Sequence, residues 1–364
     1  MKIAAVEAIP LRIPFSHSGE TKAFATGSWA MLDTCLVKVT TDTGLVGWGD
    51  AFAYHCLDAV TAAVEHMIAP AAIGEDATDI VGLNHRLQQK MHLFGRHGIT
   101  IFAISGLDLA LWDIAAKAAN MPLCQLFGGS PSAKLPAYSS LFILRDQEAV
   151  VKDVKQSLEE GYKYIKLHEI AAEEVGAARE AAGDDIPIMV DTNCPWTPDQ
   201  ARRMAVELDA FDLHWLEEPI FPPEDFASLA HLRRETGVPI AAGENWCTAM
   251  MFGQAVQAGA VDYAQPSVTK VGGITEFRKT AALCEAAGVQ VMPHSPYFGP
   301  GFLATLHLAA GLANPGLIER FYIRPEAMLY QRWLDPVDGF FAVPDMPGLG
   351  PEPDADVIKE YGVR

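Results

Sequence analysis

The sequence is poor in positive charge. Lysine and arginine number 27 against 46 aspartates and glutamates, a formal net charge of -19. Nucleic acids and anionic membranes need a basic face, so neither is expected as a partner. An anionic small molecule is not excluded, because a bound cation and one or two lysines reverse the local potential in a cleft. Paired cysteine motifs are also lacking. The six cysteines, at 35, 56, 124, 194, 247 and 284, are widely and irregularly spaced. That pattern suits reduced, buried thiols better than a disulfide framework or a zinc site. The N-terminal stretch MKIAAVEAIPLRIP is broken by Glu7 and Pro10, short of a signal-peptide core. Apolar stretches elsewhere are interrupted by charge before membrane length, and a cytoplasmic protein is expected. Nucleotide signatures are missing: Gly47-Trp48-Gly49 has no third glycine and no following helix. There is no Walker loop, no His-Glu-x-x-His and no Gly-x-Ser-x-Gly.

What is present is a large apolar fraction. Half of the 364 residues are hydrophobic and a fifth are charged, enough for one large domain and a smaller one. Residues 1–14 alternate like a strand, and residues 34–51 read as a hairpin turning at Asp42-Thr43-Gly44. Residues 99–120 carry apolar side chains at helical spacing, with Ser105, Asp108, Asp113 and Lys117 between them. An α+β domain over residues 1–125 is expected.

From about residue 135 short apolar strands alternate with helical segments. The strands fall at 135–140, 164–168, 186–193, 213–219, 239–245, 262–268, 289–295 and 317–321. Eight such units predict a closed parallel barrel of the (β/α)8 type over residues 126–324. The tail, 325–364, is rich in Pro and Gly and is expected to return to the first domain.

The strands are apolar at their starts and polar at their ends. Lys166 and His168, Asp191 and Asn193, Glu217 and Glu218, Glu244 and Asn245, Ser267, His294 and Glu319 close successive strands. The ends of barrel strands converge on one face, so these side chains should meet around one mouth. Asp191, Glu217 and Glu244 end the third, fourth and fifth strands. Three carboxylates together raise one another's pKa. A hard divalent cation relieves the conflict, and oxygen ligands suit Mg²⁺. The competing reading pairs each acid with a rim lysine or arginine.

Lys166 and His168 stand two apart on the second strand, so both point into the mouth. Either serves as a base beside a cation; the alternative is an ion-paired lysine and a satisfied core histidine. His294 lies across the barrel and competes with a loop-bonded role in PHSPYFGPG. A cation that chelates a carboxylate, with a base beside it, points to removal of the α-proton and an enediolate. An acid then protonates a leaving group or the carbon itself.

With these motifs in hand, the chain resembles the mandelate racemase and muconate lactonizing enzyme branch of the enolase superfamily. The resemblance runs through SGLDLALWDIAAKAANMPLCQLFGG (105–129), IKLH (165–168), VDTN (190–193), WLEEP (215–219), GENW (243–246), TKVGG (269–273), MPH (292–294) and IER (318–320). It implies an α+β capping domain, a modified (β/α)7β barrel and a C-terminal segment returning to the cap. It implies Mg²⁺ at Asp191, Glu217 and Glu244, substrate contacts from Asn193 and Glu319, and a homo-oligomer, from dimer to octamer. It also implies that cap loops near residues 16–30 and 50–58 set substrate identity; there His17, Trp29, Tyr54 and His55 are the candidates.

Two positions depart from the family pattern. His168 replaces the second lysine of Lys-x-Lys. Ser267 stands where racemase-like members carry the aspartate that orients the histidine, and muconate lactonizing relatives a lysine. Lys270 is read as structural. Without an aspartate His294 loses the partner that would raise its basicity. The expected function is therefore an acid-sugar dehydratase: His168 as base, Lys166 as its electrostatic partner, His294 as acid or hydrogen-bond donor. A racemase, epimerase or cycloisomerase is the alternative, and a non-catalytic metal-stabilised binding protein the remote one.

Overall fold

The computed structural model describes residues 1–18 and 29–363. Of the first cap loop, residues 19–28 lie outside the described residues. The cap begins as an antiparallel sheet: β1 (Ile3–Ser16), β2 (Met31–Thr41) and β3 (Val46–Ala51). The β2–β3 turn closes at Gly44, whose amide donates to the Thr41 carbonyl and whose φ of 84° needs a residue without a Cβ.

Against this sheet lies the helix Ile99–Ala118. It is long and apolar enough to cross a membrane by composition, yet it is a buried core helix. Its two buried aspartates explain how it carries charge inside. Asp108 accepts from the Asn84 side chain and the Thr275 amide; Asp113 accepts from the Trp48 and Leu349 amides and pairs with Lys117 at 2.8 Å. Gly47 and Gly49 of β3 have a packing purpose. A Cβ on either would sit 2.1 Å from a carbonyl of this helix, at Ala110 or Gly106.

Eight parallel strands follow: β4 (Lys134–Ser140), β5 (Ile165–Leu167), β6 (Ile188–Asp191), β7 (Leu213–Glu217), β8 (Ile240–Ala242), β9 (Tyr263–Ala264), β10 (Gln290–Val291) and β11 (Ile318–Phe321). Helices connect them, and β11 pairs with β4. Between β10 and β11 the seam is closed by the Leu317 amide on the Met292 sulfur and the Ser295 amide on the Glu319 carboxylate. This is the modified TIM-type barrel.

The barrel interior is layered. Tyr138, Met189, Trp215, Ala241, Met292 and Leu317 form a buried apolar plug. Two residues further along five of these strands come Ser140, Asp191, Glu217, His294 and Glu319. Inward positions recur every second residue on a strand, so the polar layer rests on the plug.

The tail does more than return to the cap. β12 (Arg324–Pro325) pairs with β1, and Lys117 meets Glu352 at 2.7 Å. But β13 (Phe340–Ala342) adds antiparallel to β4 and belongs to the barrel wall.

Candidate active site

Asp191 and Glu217 are register partners on β6 and β7, and Glu244 stands two residues beyond the end of β8. Oxygens of all three lie within 4.8 Å of one another. The backbone leaves the sheet sharply here. Asn193, Cys194 and Glu218 all have positive φ, at 53°, 56° and 44°, a strained conformation for residues other than glycine. The Asn193 amide is thereby turned back onto Asp191 Oδ1 at 3.0 Å.

Asp191 and Glu217 are buried and Glu244 is partly so, and the electrostatics of the three conflict. Burial and then the Asp191 charge push Glu217 well above the ordinary carboxylate range. Burial alone would raise Asp191 as well; the Lys166 ammonium and His168 override it and hold Asp191 down to about 2. Burial likewise opposes ionisation of Glu244, which His294 and Lys270 hold well below its usual value. The triad is thus divided, one acid favouring its proton and two favouring charge. A divalent cation at these oxygens would remove that division. The ligand set is oxygen only, from three carboxylates on rigid strand ends, and it fits a hard cation such as Mg²⁺. The Trp215 indole N–H donates to Glu217 Oε2 at 2.9 Å, an orienting bond of the kind that holds a ligand in place.

Lys166 and His168 do face the mouth. Lys166 Nζ lies 3.3 Å from Asp191 Oδ2, 3.1 Å from Glu217 Oε1 and 2.9 Å from Glu319 Oε1. Desolvation would lower its pKa, but Glu217, Glu319 and Asp191 together raise it well above the usual lysine value. In this arrangement the lysine is an ion-paired ammonium.

The His168 Nδ1–H donates to the Leu141 carbonyl at 2.5 Å, and Nε2 faces Asp191 Oδ2 at 3.3 Å. A carbonyl only accepts, so Nδ1 must carry a proton. Nε2 is then the nitrogen that exchanges one at the mouth.

His294 reaches Glu244 through Nε2 at 2.7 Å. Behind it, Nδ1 lies 3.4 Å from the Tyr297 hydroxyl, which is bonded to Ser267 Oγ. A Ser267–Tyr297 pair of hydroxyls therefore occupies the place expected to be without a partner. Tyr297 was not legible from spacing, because it lies in the irregular loop after β10. Lys270 bonds Asn245 Oδ1 at 3.0 Å, sits 3.7 Å from Glu244 and lies over the Phe52 ring. Glu319 accepts from Ser140 Oγ, the Ser295 amide and Lys166.

A cavity of about 190 Å³ opens above these groups. It is lined by His168, Asn193, Glu244, His294 and Glu319 on the polar side, and by Trp29, Tyr54, His55 and a set of further aromatic and apolar side chains from cap and barrel. Of the cap-loop candidates, Trp29, Tyr54 and His55 thus reach the cavity. His17 instead stacks on Phe142, at 3.9 Å between ring centroids.

Comparison with known proteins identifies the family of the chain. Residues 9–128 match the mandelate racemase/muconate lactonizing enzyme N-terminal domain, and residues 149–357 the enolase C-terminal domain-like family. The chain is 34% identical to an arabinonate dehydratase of Saccharolobus solfataricus over 91% of both chains. It is also 34% identical to a 3,6-anhydro-alpha-L-galactonate cycloisomerase of Streptomyces coelicolor, covering 88% of this chain and 90% of that one. A crystal structure of a racemase from Streptomyces coelicolor A3(2) with bound magnesium superposes with a TM-score of 0.88 at 31% identity, over 99% of this chain and 100% of that one. The chain belongs to the mandelate racemase/muconate lactonizing enzyme family of the enolase superfamily.

Proposed function

We propose that the protein removes the α-proton of a small acid-sugar carboxylate and then eliminates the β-oxygen, giving a 2-keto-3-deoxy acid. Asp191, Glu217 and Glu244 would hold Mg²⁺, which when bound supplies Lewis-acid stabilisation of charge developing on the substrate carboxylate. The observation that carries the reading is the unequal backing of the two imidazoles. His168 has a fixed Nδ1–H and an exchangeable Nε2 beside the triad. His294 has a hydroxyl pair rather than a carboxylate behind it.

In this reading His168 Nε2 takes the α-proton. Lys166, held cationic among Asp191, Glu217 and Glu319, lowers the cost of negative charge beside it. The electron pair of the broken C–H bond passes into the enediolate of the substrate. Its collapse expels the β-oxygen, and His294 Nε2 delivers the proton that oxygen needs. The enol left behind becomes the ketone. Atoms balance as substrate giving keto acid and one water.

The cycloisomerase among the relatives supports a second reading with the same steps. If the β-oxygen belongs to a ring, its expulsion opens the ring and nothing leaves, so the product is an isomer. Both readings need a base on one side and a proton donor on the other.

The test is incubation of the Mg²⁺-loaded protein with aldonic, aldaric and anhydro-aldonic acids in D₂O. Formation of 2-keto product is the expected outcome. Deuterium entering recovered substrate at the α-carbon with inversion, and no keto product, would overturn it in favour of racemisation.

A further inference from the structure

His168 is held by a carbonyl, and that carbonyl has to be held in turn. It belongs to Leu141, the first residue after β4. The Leu141 amide donates to the Lys166 carbonyl at 2.8 Å, which ties the chain to β5. The Leu141 carbonyl is part of the next peptide plane, and that plane follows the course of residues 142–145. Those residues form no helix or strand, and among the described residues none of them makes a backbone–backbone hydrogen bond. One side chain fastens them. Glu169 Oε1 accepts from the Leu144 amide at 2.8 Å and from the Arg145 amide at 3.1 Å. Its Oε2 accepts from the Arg145 amide and from Arg145 Nη1, both at 3.2 Å. Glu169 is buried, so these bonds are made out of water, where breaking them is costly.

The loop is strained at its anchored end. Arg145 has a φ of 52°, a conformation that a residue with a Cβ keeps only where its surroundings impose it. Both its amide and its guanidinium are bonded to Glu169. Asp146 then caps the helix Gln147–Glu159 by accepting from the Ala149 amide, so the far end of the loop is fixed as well. Phe142 and Ile143 lie in the middle of the loop and line the cavity, and Phe142 packs on Phe321. Glu169 is also the residue after His168. One dipeptide thus carries both the imidazole and the carboxylate that steadies its acceptor.

We propose that Glu169 is the positioning residue of the base: by anchoring residues 144 and 145 it fixes the Leu141 carbonyl, keeps the proton on His168 Nδ1 and leaves Nε2 to exchange at the mouth. A ring whose acceptor drifts loses the alignment that proton abstraction needs. The inference rests on the proposed reaction only for the use made of Nε2.

Proton NMR of the Mg²⁺-loaded protein in H₂O tests it without turnover. The His168 Nδ1–H signal, assigned by its absence in His168→Asn, is expected to exchange slowly with solvent. Glu169→Ala should speed that exchange at least about tenfold, because the loop opens more often. Glu169→Asp, one methylene short of the same bonds, should speed it about threefold or more. Glu169→Gln keeps an oxygen for the Leu144 and Arg145 amides and loses only the guanidinium bond, so it should stay within about twofold. A merely structural Glu169 would lower the melting temperature in these variants and leave the signal alone; that result overturns the proposal. So does equal acceleration in Glu169→Gln, or no slowly exchanging Nδ1–H in the unaltered protein. If Glu169→Ala does not fold, Glu169→Asp and Glu169→Gln decide alone. Exchange of the α-proton of aldonic and anhydro-aldonic acids in D₂O, scored separately, decides the proposed reaction. A protected Nδ1–H without such exchange would refute the reaction and leave the anchoring of His168 standing.

Discussion

The two walls of the barrel mouth carry one histidine each, and they are built differently. On the β5 side, His168 has an acceptor oxygen at both ring nitrogens, the Leu141 carbonyl and the Asp191 carboxylate. A buried ammonium, Lys166, stands next to it on the strand. On the β10 side, His294 has a carboxylate at Nε2 but a phenol hydroxyl at Nδ1, with a serine behind that. A carbonyl only accepts, so at His168 it fixes the proton on Nδ1; a hydroxyl can donate as well as accept, so at His294 the tautomer is left open. The difference teaches that the two rings are held in unlike ways, which is what the proposed division into base and acid requires. Inversion of a stereocentre by two matched bases would ask for two walls of the same kind.

The largest effect should come from removing what both walls share. Glu217→Gln is expected to lower turnover by about 10⁴-fold or more and to abolish the rise in melting temperature on adding Mg²⁺. A variant that still melts higher with Mg²⁺ would place the cation elsewhere.

The comparison itself is broken or kept by the two histidines. His168→Asn should slow α-proton exchange, read by NMR in D₂O, by about 10³-fold. His294→Asn should leave exchange within about tenfold of the unaltered protein while cutting keto product by about 10²-fold. Equal loss of exchange in both would mean that the walls are equivalent after all.

A smaller effect tests the hydroxyl pair. Tyr297→Phe removes the hydroxyl at His294 Nδ1 and should cost about tenfold in kcat with KM little changed. Ser267→Ala, one bond further away, should cost less.

The last effect is on stability rather than on turnover. Asp50, on β3 of the cap, accepts from the Gly301 amide just beyond Tyr297 and so fastens the His294 wall to the cap. Burial pushes its carboxyl up to about 7, although the Gly301 bond opposes the shift. A carboxyl with a raised folded-state pKa favours the folded protein while protonated. That contribution is present below about pH 4 and is lost as the pH rises to about 7, at up to roughly 1.4 kcal/mol per pH unit. Asp50→Asn should flatten this slope in denaturant melts at pH 4 to 7. An unchanged slope would assign it to other buried acids, such as Asp108, also raised to about 7 by burial.

Much of the site was legible in the chain before folding was considered. The eight strands, the hairpin turn at Gly44 and the helix at 99 announced themselves through period 2, turn chemistry and period 3.6. The polar residues closing the strands could be placed around one mouth because a barrel brings strand ends together. Phe142 and Phe321 were missed although their signal was there: each extends an inward strand face by one more step of two. Tyr297 carried no such signal. It lies in a loop where no periodicity fixes direction, and its bond to His294 depends on how PHSPYFGPG folds back. Gly47 and Gly49 carry no local signal of their use, which is a close approach to a helix about 60 residues away.

The sequence by itself determined which side chains share the mouth, because alternation and repeat length are local properties of the chain. It also determined that three carboxylates close neighbouring strands, of which Asp191 and Glu217 are register partners and Glu244 lies two residues past its strand. The tertiary structure decided how those charges are shared: Lys166 among three acids, His168 on a carbonyl, His294 on a hydroxyl pair. It also decided that the cap lays Trp29 against Phe142 and Phe321. Protonation and specificity follow from distances of a few ångströms between residues far apart in the chain, and Coulomb and desolvation energies at such distances are set only when the barrel and its cap have closed.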